Sequence, residues 1–198
     1  PIVPVMKLIL ASASPRRAEI LSAAGIPFEV RPSKIDESRL PGESPEKMVG
    51  RLARAKAEAV AREVPPTDSA IILGADTVVV ADDEILGKPS NSTTAREMLQ
   101  KLRGREHRVI TGFALLRVQD KQIRAGHETT RVWFSNMTDA EIDSYVATNE
   151  PLDKAGAYAI QGIAGRYIPR IEGCYFNVVG LPMARVWQAM KDLGWPTS

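Results

Sequence analysis

One short stretch constrains this chain most: Ser12-Ala13-Ser14-Pro15-Arg16-Arg17 puts two guanidinium groups where a helix is expected to start. Leu8-Ile9-Leu10 ahead of it reads as a short buried strand, and Ala18-Glu19-Ile20-Leu21 after it as a helix running to Gly25. Ser14 suits the N-cap and Pro15 the first helical position, because the fixed φ of proline matches a helix and its missing N–H is not needed there. Arg16 and Arg17 then fall in the first turn, against the positive end of the helix dipole. A capping box would want Glu or Gln three residues after Ser14, where Arg17 stands instead. Free backbone N–H groups beside two guanidinium forks make an anion site suited to phosphate. The same spacing also fits two arginines that simply point into solvent.

A chain of 198 residues fits one domain, or two closely packed lobes, and can bury a substantial core. The net charge of +2 gives no global field that argues for nucleic acid or a membrane surface. Cys174 is the single cysteine, which excludes an intrachain disulfide and any multi-cysteine metal site and suits a reducing cytosol. No apolar run reaches the length of a membrane span, and Leu8-Ile9-Leu10-Ala11 is too short for the apolar core of a signal peptide. The expected location is therefore the cytoplasm. Met6 is a candidate natural start, which makes residues 1–6 a flexible extension ahead of a single domain.

Ser44-Pro45 opens a second helix toward Arg62, again with serine as cap and proline at the first position. Ile71-Ile72-Leu73 and Val78-Val79-Val80 are two apolar runs interrupted by Gly74-Ala75-Asp76-Thr77, and Asp82-Asp83-Glu84 reads as a solvated turn. A short helix is expected over Thr94–Leu102, long strands over Val109–Val118 and Ile123–Phe134, and a last helix over Pro182–Leu193. Thr138-Asp139-Ala140-Glu141 is a capping box that opens a helix to Ala147. Strands and helices mixed without a regular βαβ repeat indicate an α/β fold around a long mixed sheet.

Three further residues carry chemistry. Asp76 lies between apolar runs, so its carboxylate needs a cation, a metal or several N–H donors; it reads either as a turn-closing Asp or as a general base or metal-linked carboxylate. Lys56 falls on the same helical face as Val49, Leu52, Ala53 and Val60, where it either snorkels to the edge or reaches an anion. Gln161 sits in Gly156-Ala157-Tyr158-Ala159-Ile160-Gln161-Gly162; its amide offers a donor and an acceptor, as the edge of a uracil or thymine ring requires, or it faces solvent on a glycine-rich connector. Lys88, in Leu86-Gly87-Lys88-Pro89, is a weak signal by itself. Gly87-Lys88 lacks the rest of a P-loop, no G-x-G-x-x-G occurs, and His107 and His127 lie too far apart for H-E-x-x-H.

Taken in order, several segments resemble the Maf family of nucleoside triphosphate pyrophosphatases, the septum-formation-inhibitor-like proteins. They are Leu8–Arg17, Arg51-Leu52-Ala53-Arg54-Ala55-Lys56-Ala57, Gly74-Ala75-Asp76-Thr77-Val78-Val79, Gly87-Lys88-Pro89, Thr111-Gly112, Asp153–Gly162 and Asn177-Val178-Val179-Gly180-Leu181-Pro182. The resemblance implies an elongated mixed sheet flanked by helices, with two lobes and a central cleft, similar to the inosine triphosphatases. It implies hydrolysis of a nucleoside triphosphate to the monophosphate and pyrophosphate with a divalent cation, Mg²⁺ or Mn²⁺. On this pattern Asp76 accepts the proton of water, Ser12, Arg17, Lys56 and Lys88 hold the phosphates, and Glu37, with Asp36 beside it, serves the metal.

Arg16, Thr77 and Gln161 match the trio that resembles the dTTP/UTP-preferring branch; the 7-methyl-GTP branch tends to carry Trp, Gln and Glu there. A departure is Cys174, where serine is frequent; it adds an oxidisable thiol and is expected to leave activity intact. Modified pyrimidine triphosphates are a variant substrate class, which makes the enzyme a house-cleaning hydrolase. A non-catalytic nucleotide-binding regulator of cell division is the alternative to an enzyme. A homodimer is expected from the family alone.

Overall fold

The computed structural model describes residues 6–197, so residues 1–5 of the expected extension lie outside the described residues. The strands are β1 (Lys7–Leu10), β2 (Glu29–Val30), β3 (Ala70–Ala81), β4 (Glu84–Leu86), β5 (Glu106–Arg117), β6 (Ile123–Trp133) and β7 (Arg170–Glu172). The helices are α1 (Pro15–Ala23), α2 (Pro45–Ala61), α3 (Ser92–Leu102), α4 (Asp139–Val146), α5 (Tyr175–Val179) and α6 (Met183–Asp192). The strands form one seven-stranded mixed sheet in the order β2-β1-β3-β5-β6-β7, with β4 paired to β3. β1 runs parallel to β2 and β3, whereas β4 is antiparallel to β3 and β7 to β6. The fold is α/β with a mixed sheet flanked by helices.

The chain divides into two compact units. The first takes the chain up to Asp76, Thr111–Glu128 and everything from Gly180; the second takes Thr77–Ile110 and Thr129–Val179. Each unit has its own core. In the first, Ile9 and Ile72 from the sheet pack with Ala53, Ala57 and Val60 of α2. In the second, Val79, Leu99, Phe134, Tyr145 and Tyr158 belong to one buried cluster.

Two glycines bring α2 close to the sheet. A Cβ at Gly74 would lie 2.0 Å from the carbonyl oxygen of Ala53, and one at Gly112 would lie 2.5 Å from that of Val49. With Gly50, Ala53 and Ala57 on the helix side, backbone meets backbone at a separation that no larger side chain allows.

The structure revises the expected elements at four places. Ile71–Leu73 and Val78–Val80 are not separate runs but parts of the single strand β3, so Asp76 lies within a strand and not in a turn. Gly and Asp are poor strand formers in isolation, and the approach of α2 at Gly74 overrides that preference. Ser14 stands at the N-cap of α1, yet its side chain makes no capping bond; its N–H donates to Ser12 Oγ at 3.2 Å. α3 starts two residues before the expected Thr94, because Asn91 Oδ1 accepts from the N–H of Thr94 and caps it. α5 has no counterpart among the expected elements, and at five residues it is too short for a periodic signal.

Candidate active site

Side chains alternate across a strand, so Gly74 and Asp76 share one face of β3. That is the face α2 covers. Lys56 lies three residues beyond Ala53, the residue whose carbonyl sits over Gly74, and the close approach brings Lys56 Nζ to 2.8 Å from Asp76 Oδ1. The same ammonium also meets Glu37 Oε1 at 2.9 Å. Lys56 and Asp76 are both buried, at 7% and 9% exposure, while Glu37 is half exposed. A charge taken out of water costs several kcal/mol unless it is paired, and here the ammonium lies between two carboxylates.

The arginine pair divides. Arg17 is buried at 8% exposure, its Nε donating to the carbonyl of Gly180 at 2.8 Å and its Nη1 to Ser12 Oγ at 3.0 Å. Burial pulls the Arg17 guanidinium below its ordinary pKa; Asp76 and Glu37 act in the opposite sense, and Arg16 adds to the lowering. Arg16 is only half-buried. The two guanidinium groups at the start of α1 thus have different environments, one locked against backbone and one nearer to solvent.

The first unit therefore brings together Ser12, Arg17, Glu37, Lys56 and Asp76, with Arg16 next in the chain. Asp36 is differently engaged. Its Oδ1 accepts from the N–H of Ser38 at 2.9 Å and from the Ser38 hydroxyl, and these bonds hold its carboxyl below the usual carboxylate range.

Thr77, Lys88 and Gln161 belong to the second unit. Thr77 is half-buried on β3, its side chain on the face opposite that of Asp76. Lys88 is exposed just after β4, and the N–H of Gly156 donates to the carbonyl of Gly87 at 3.1 Å, which ties that segment to the Gln161 loop. Gln161 is exposed in a turn closed by a 3.1 Å bond from the N–H of Gly162 to the carbonyl of Ala159.

One pair here has no local sequence signal. Arg51 of α2 grips Glu43 with both ends of its fork, Nε to Oε1 at 2.6 Å and Nη2 to Oε2 at 2.8 Å, and Nη2 also reaches the carbonyl of Ser38 at 3.0 Å. This hold drives the Glu43 carboxyl down to about 2. It straps the segment that carries Glu37 onto α2. Glu43 precedes the helix and Arg51 lies inside it, so no helical spacing relates them.

Glu37 and Asp76 both reach the Lys56 ammonium, which puts two carboxylates in one neighbourhood. Glu37 and Asp76 are hard oxygen donors of the kind that suits Mg²⁺ or Mn²⁺. Among the described residues no three His, Cys, Asp or Glu side chains are grouped to hold a metal. The donor set fits a cation that also takes ligands from its substrate, as Mg²⁺ commonly does with phosphates.

A model of the family described as "Maf-like protein" matches residues 7–193. A dTTP/UTP pyrophosphatase of Geotalea uraniireducens (strain Rf4) is 51% identical over 187 residues, covering 94% of this chain and 95% of its own. Proteins of the same description from Symbiobacterium thermophilum and Geobacillus sp. (strain WCH70) are 48% and 49% identical, covering 97% and 96% of this chain and 96% and 99% of their own. Among solved structures, the Ham1 protein of Staphylococcus aureus overlaps 65% of this chain and 71% of its own at a TM-score of 0.44 and 13% identity, too loose a likeness to carry an argument. With nearly the whole sequence matched by one family pattern and by relatives about half identical, the chain belongs to the Maf-like protein family.

Proposed function

We propose that this protein hydrolyses dTTP and UTP to the nucleoside monophosphate and pyrophosphate. The single observation that carries the reading is the buried carboxylate of Asp76, charge-compensated by Lys56 at 2.8 Å, in the same unit as a buried Arg17. The relatives' description as dTTP/UTP pyrophosphatases supports the substrate class. In this reading the chain works as a single Maf-like domain.

Asp76 takes the proton of the attacking water. The water oxygen bonds to the α-phosphorus, the bond from that phosphorus to the β-bridging oxygen breaks, and pyrophosphate leaves with the electron pair. Arg17, Lys56 and Lys88 offset the negative charge that gathers on the departing group, and Ser12 donates a hydrogen bond to a phosphate oxygen. Arg17 is a fork suited to two phosphate oxygens, whereas Lys56 and Lys88 act as point charges. A divalent cation, Mg²⁺ or Mn²⁺, would be held by Glu37 near Asp76 and would neutralise phosphate charge when bound. Asp36, engaged with Ser38, stands behind Glu37 and not beside it in that role.

Base choice falls to Arg16, Thr77 and Gln161. The Gln161 amide can accept from N3–H of uracil or thymine and donate to a ring carbonyl; cytosine carries no proton at N3 and leaves the acceptor without a partner. Such a mismatch is costly once water is excluded. The test is pyrophosphate release from dTTP, UTP, CTP, GTP and ATP by the purified protein with Mg²⁺ or Mn²⁺. We expect dTTP and UTP to be cleaved in preference to the others. Nucleotide binding without pyrophosphate release would contradict the enzyme and favour a regulator.

A further inference from the structure

Gln161 is exposed, and among the described residues its amide has no hydrogen-bond partner. What the structure holds is the backbone from which it projects. Two side chains hold that backbone, both within the second unit.

On the near side of the turn, the N–H of Ala159 donates to the hydroxyl of Tyr145 at 3.4 Å. On the far side, the N–H of Ile163 donates to both carboxylate oxygens of Glu150, at 3.1 and 3.2 Å. The two sides are joined, because the Tyr145 hydroxyl donates to Glu150 Oε1 at 2.8 Å. The carboxylate lies flat against the turn: a Cβ at Gly162 would come within 2.3 Å of Glu150 Oε1. Upstream, the Tyr158 hydroxyl and His107 Nε2 are 2.6 Å apart. Tyr145 is among the fully buried side chains, and burial raises its phenol further from ionisation, so it stays a neutral donor and acceptor.

We propose that Tyr145 and Glu150 are positioning residues for Gln161, clamping both flanks of the 159–162 turn so that its side chain projects toward the base from one fixed backbone position. The proposal rests on the reading of Gln161 as the base-reading group. Neither residue touches the reacting phosphates, so their loss moves discrimination between bases through KM and leaves kcat in place. Tyr145→Phe keeps the buried ring and deletes the joint between the flanks. Glu150→Gln keeps one oxygen for the N–H of Ile163 and restores part of the hold.

The experiment measures kcat and KM for UTP and CTP, with saturating Mg²⁺, on wild type, Tyr145→Phe, Glu150→Gln, Glu150→Ala, Gln161→Ala and the Tyr145→Phe/Gln161→Ala double variant. Gln161→Ala is expected to lower the UTP-over-CTP preference about tenfold. Tyr145→Phe and Glu150→Ala are expected to lower it about fivefold through the KM for UTP, Glu150→Gln by less, and the double variant no further than Gln161→Ala alone. If Gln161→Ala relaxes the preference while Tyr145→Phe and Glu150→Ala leave it unchanged, the clamp is wrong and the base reading stands. Additive losses in the double variant, or a fall in kcat for both nucleotides alike, also overturn the clamp. If Gln161→Ala changes nothing, the base reading fails and the clamp fails with it. Should Tyr145→Phe not fold, the Glu150 pair decides alone.

Discussion

The acid–cation cluster of the first unit and the Gln161 turn of the second are held in opposite ways. Around Asp76 the functional side chains hold one another: Lys56 bridges Asp76 and Glu37, and Arg17 is fixed by Ser12 and the Gly180 carbonyl. At Gln161 the functional side chain is exposed and only its backbone is held, by Tyr145, Glu150 and the turn bond. The first arrangement makes each charge depend on its neighbours, so that a change at one disturbs all. The second separates the support from the reading group, so that the group can be altered without loss of the fold. In the proposed function, the reaction chemistry lies in the interdependent cluster and the substrate preference in the turn.

The sharpest way to break this contrast is to replace the acid. Asp76→Asn is expected to lower kcat by at least about 10³-fold while leaving nucleotide affinity within a few-fold, measured by single-turnover kinetics and equilibrium binding. A variant with wild-type turnover would remove Asp76 from the chemistry.

Interdependence is tested next by Lys56→Met, which removes the ammonium paired with buried Asp76 and leaves the interaction with Arg17. Destabilisation of about 3–5 kcal/mol is expected in urea unfolding, a cost typical of breaking a buried pair by removing one partner. A variant as stable as wild type would mean that the cluster does not hold itself together.

The support beneath the Gln161 turn has its own signature in pH. Burial drives the His107 ring down to about 4 from the ordinary 6.5, so the folded chain keeps it neutral while the unfolded chain protonates it. Between these values the unfolded state binds more protons, and stability falls as the pH drops from 6.5 toward 4, then levels for this group. The loss amounts to about 3 kcal/mol. Its Nδ1 is buried without a partner among the described residues, which gives an added proton no acceptor. His107→Gln should flatten that slope in pH-dependent melting. The paired carboxyl of Glu43, held at about 2, loses its contribution mostly at lower pH, as the pH falls from 4.5 toward 2.

The smallest expected effect is Gln161→Ala, about tenfold in base preference with no change in melting temperature. A stability loss there comparable to that of Lys56→Met would erase the distinction between the two regions.

Much of this was legible in the sequence, for stated reasons. Ser44-Pro45 opens α2 and Thr138/Glu141 form a capping box, because a cap depends on residues within one turn. Lys56 on an apolar helical face and Asp76 among apolar residues each announce a buried charge in need of a partner. That they are partners of each other depends on the approach at Gly74, a contact between segments about twenty residues apart that no local pattern encodes. The same Gly-Ala-Asp sequence reads as a turn by composition and is a strand in the structure, where β3 runs between β1 and β5 and Ala53 lies over Gly74. The Glu43–Arg51 strap and the Tyr145–Glu150 clamp were illegible for a similar reason, since each joins a helix to a residue outside it, where helical spacing has no fixed meaning.

The central claim is that water attacks the α-phosphorus and expels pyrophosphate. Hydrolysis of dTTP in ¹⁸O-labelled water, with mass analysis of the products, tests it most directly. The account predicts the label in the phosphate of the nucleoside monophosphate and none in pyrophosphate. Label in pyrophosphate, or products of nucleoside diphosphate and labelled orthophosphate, would contradict it.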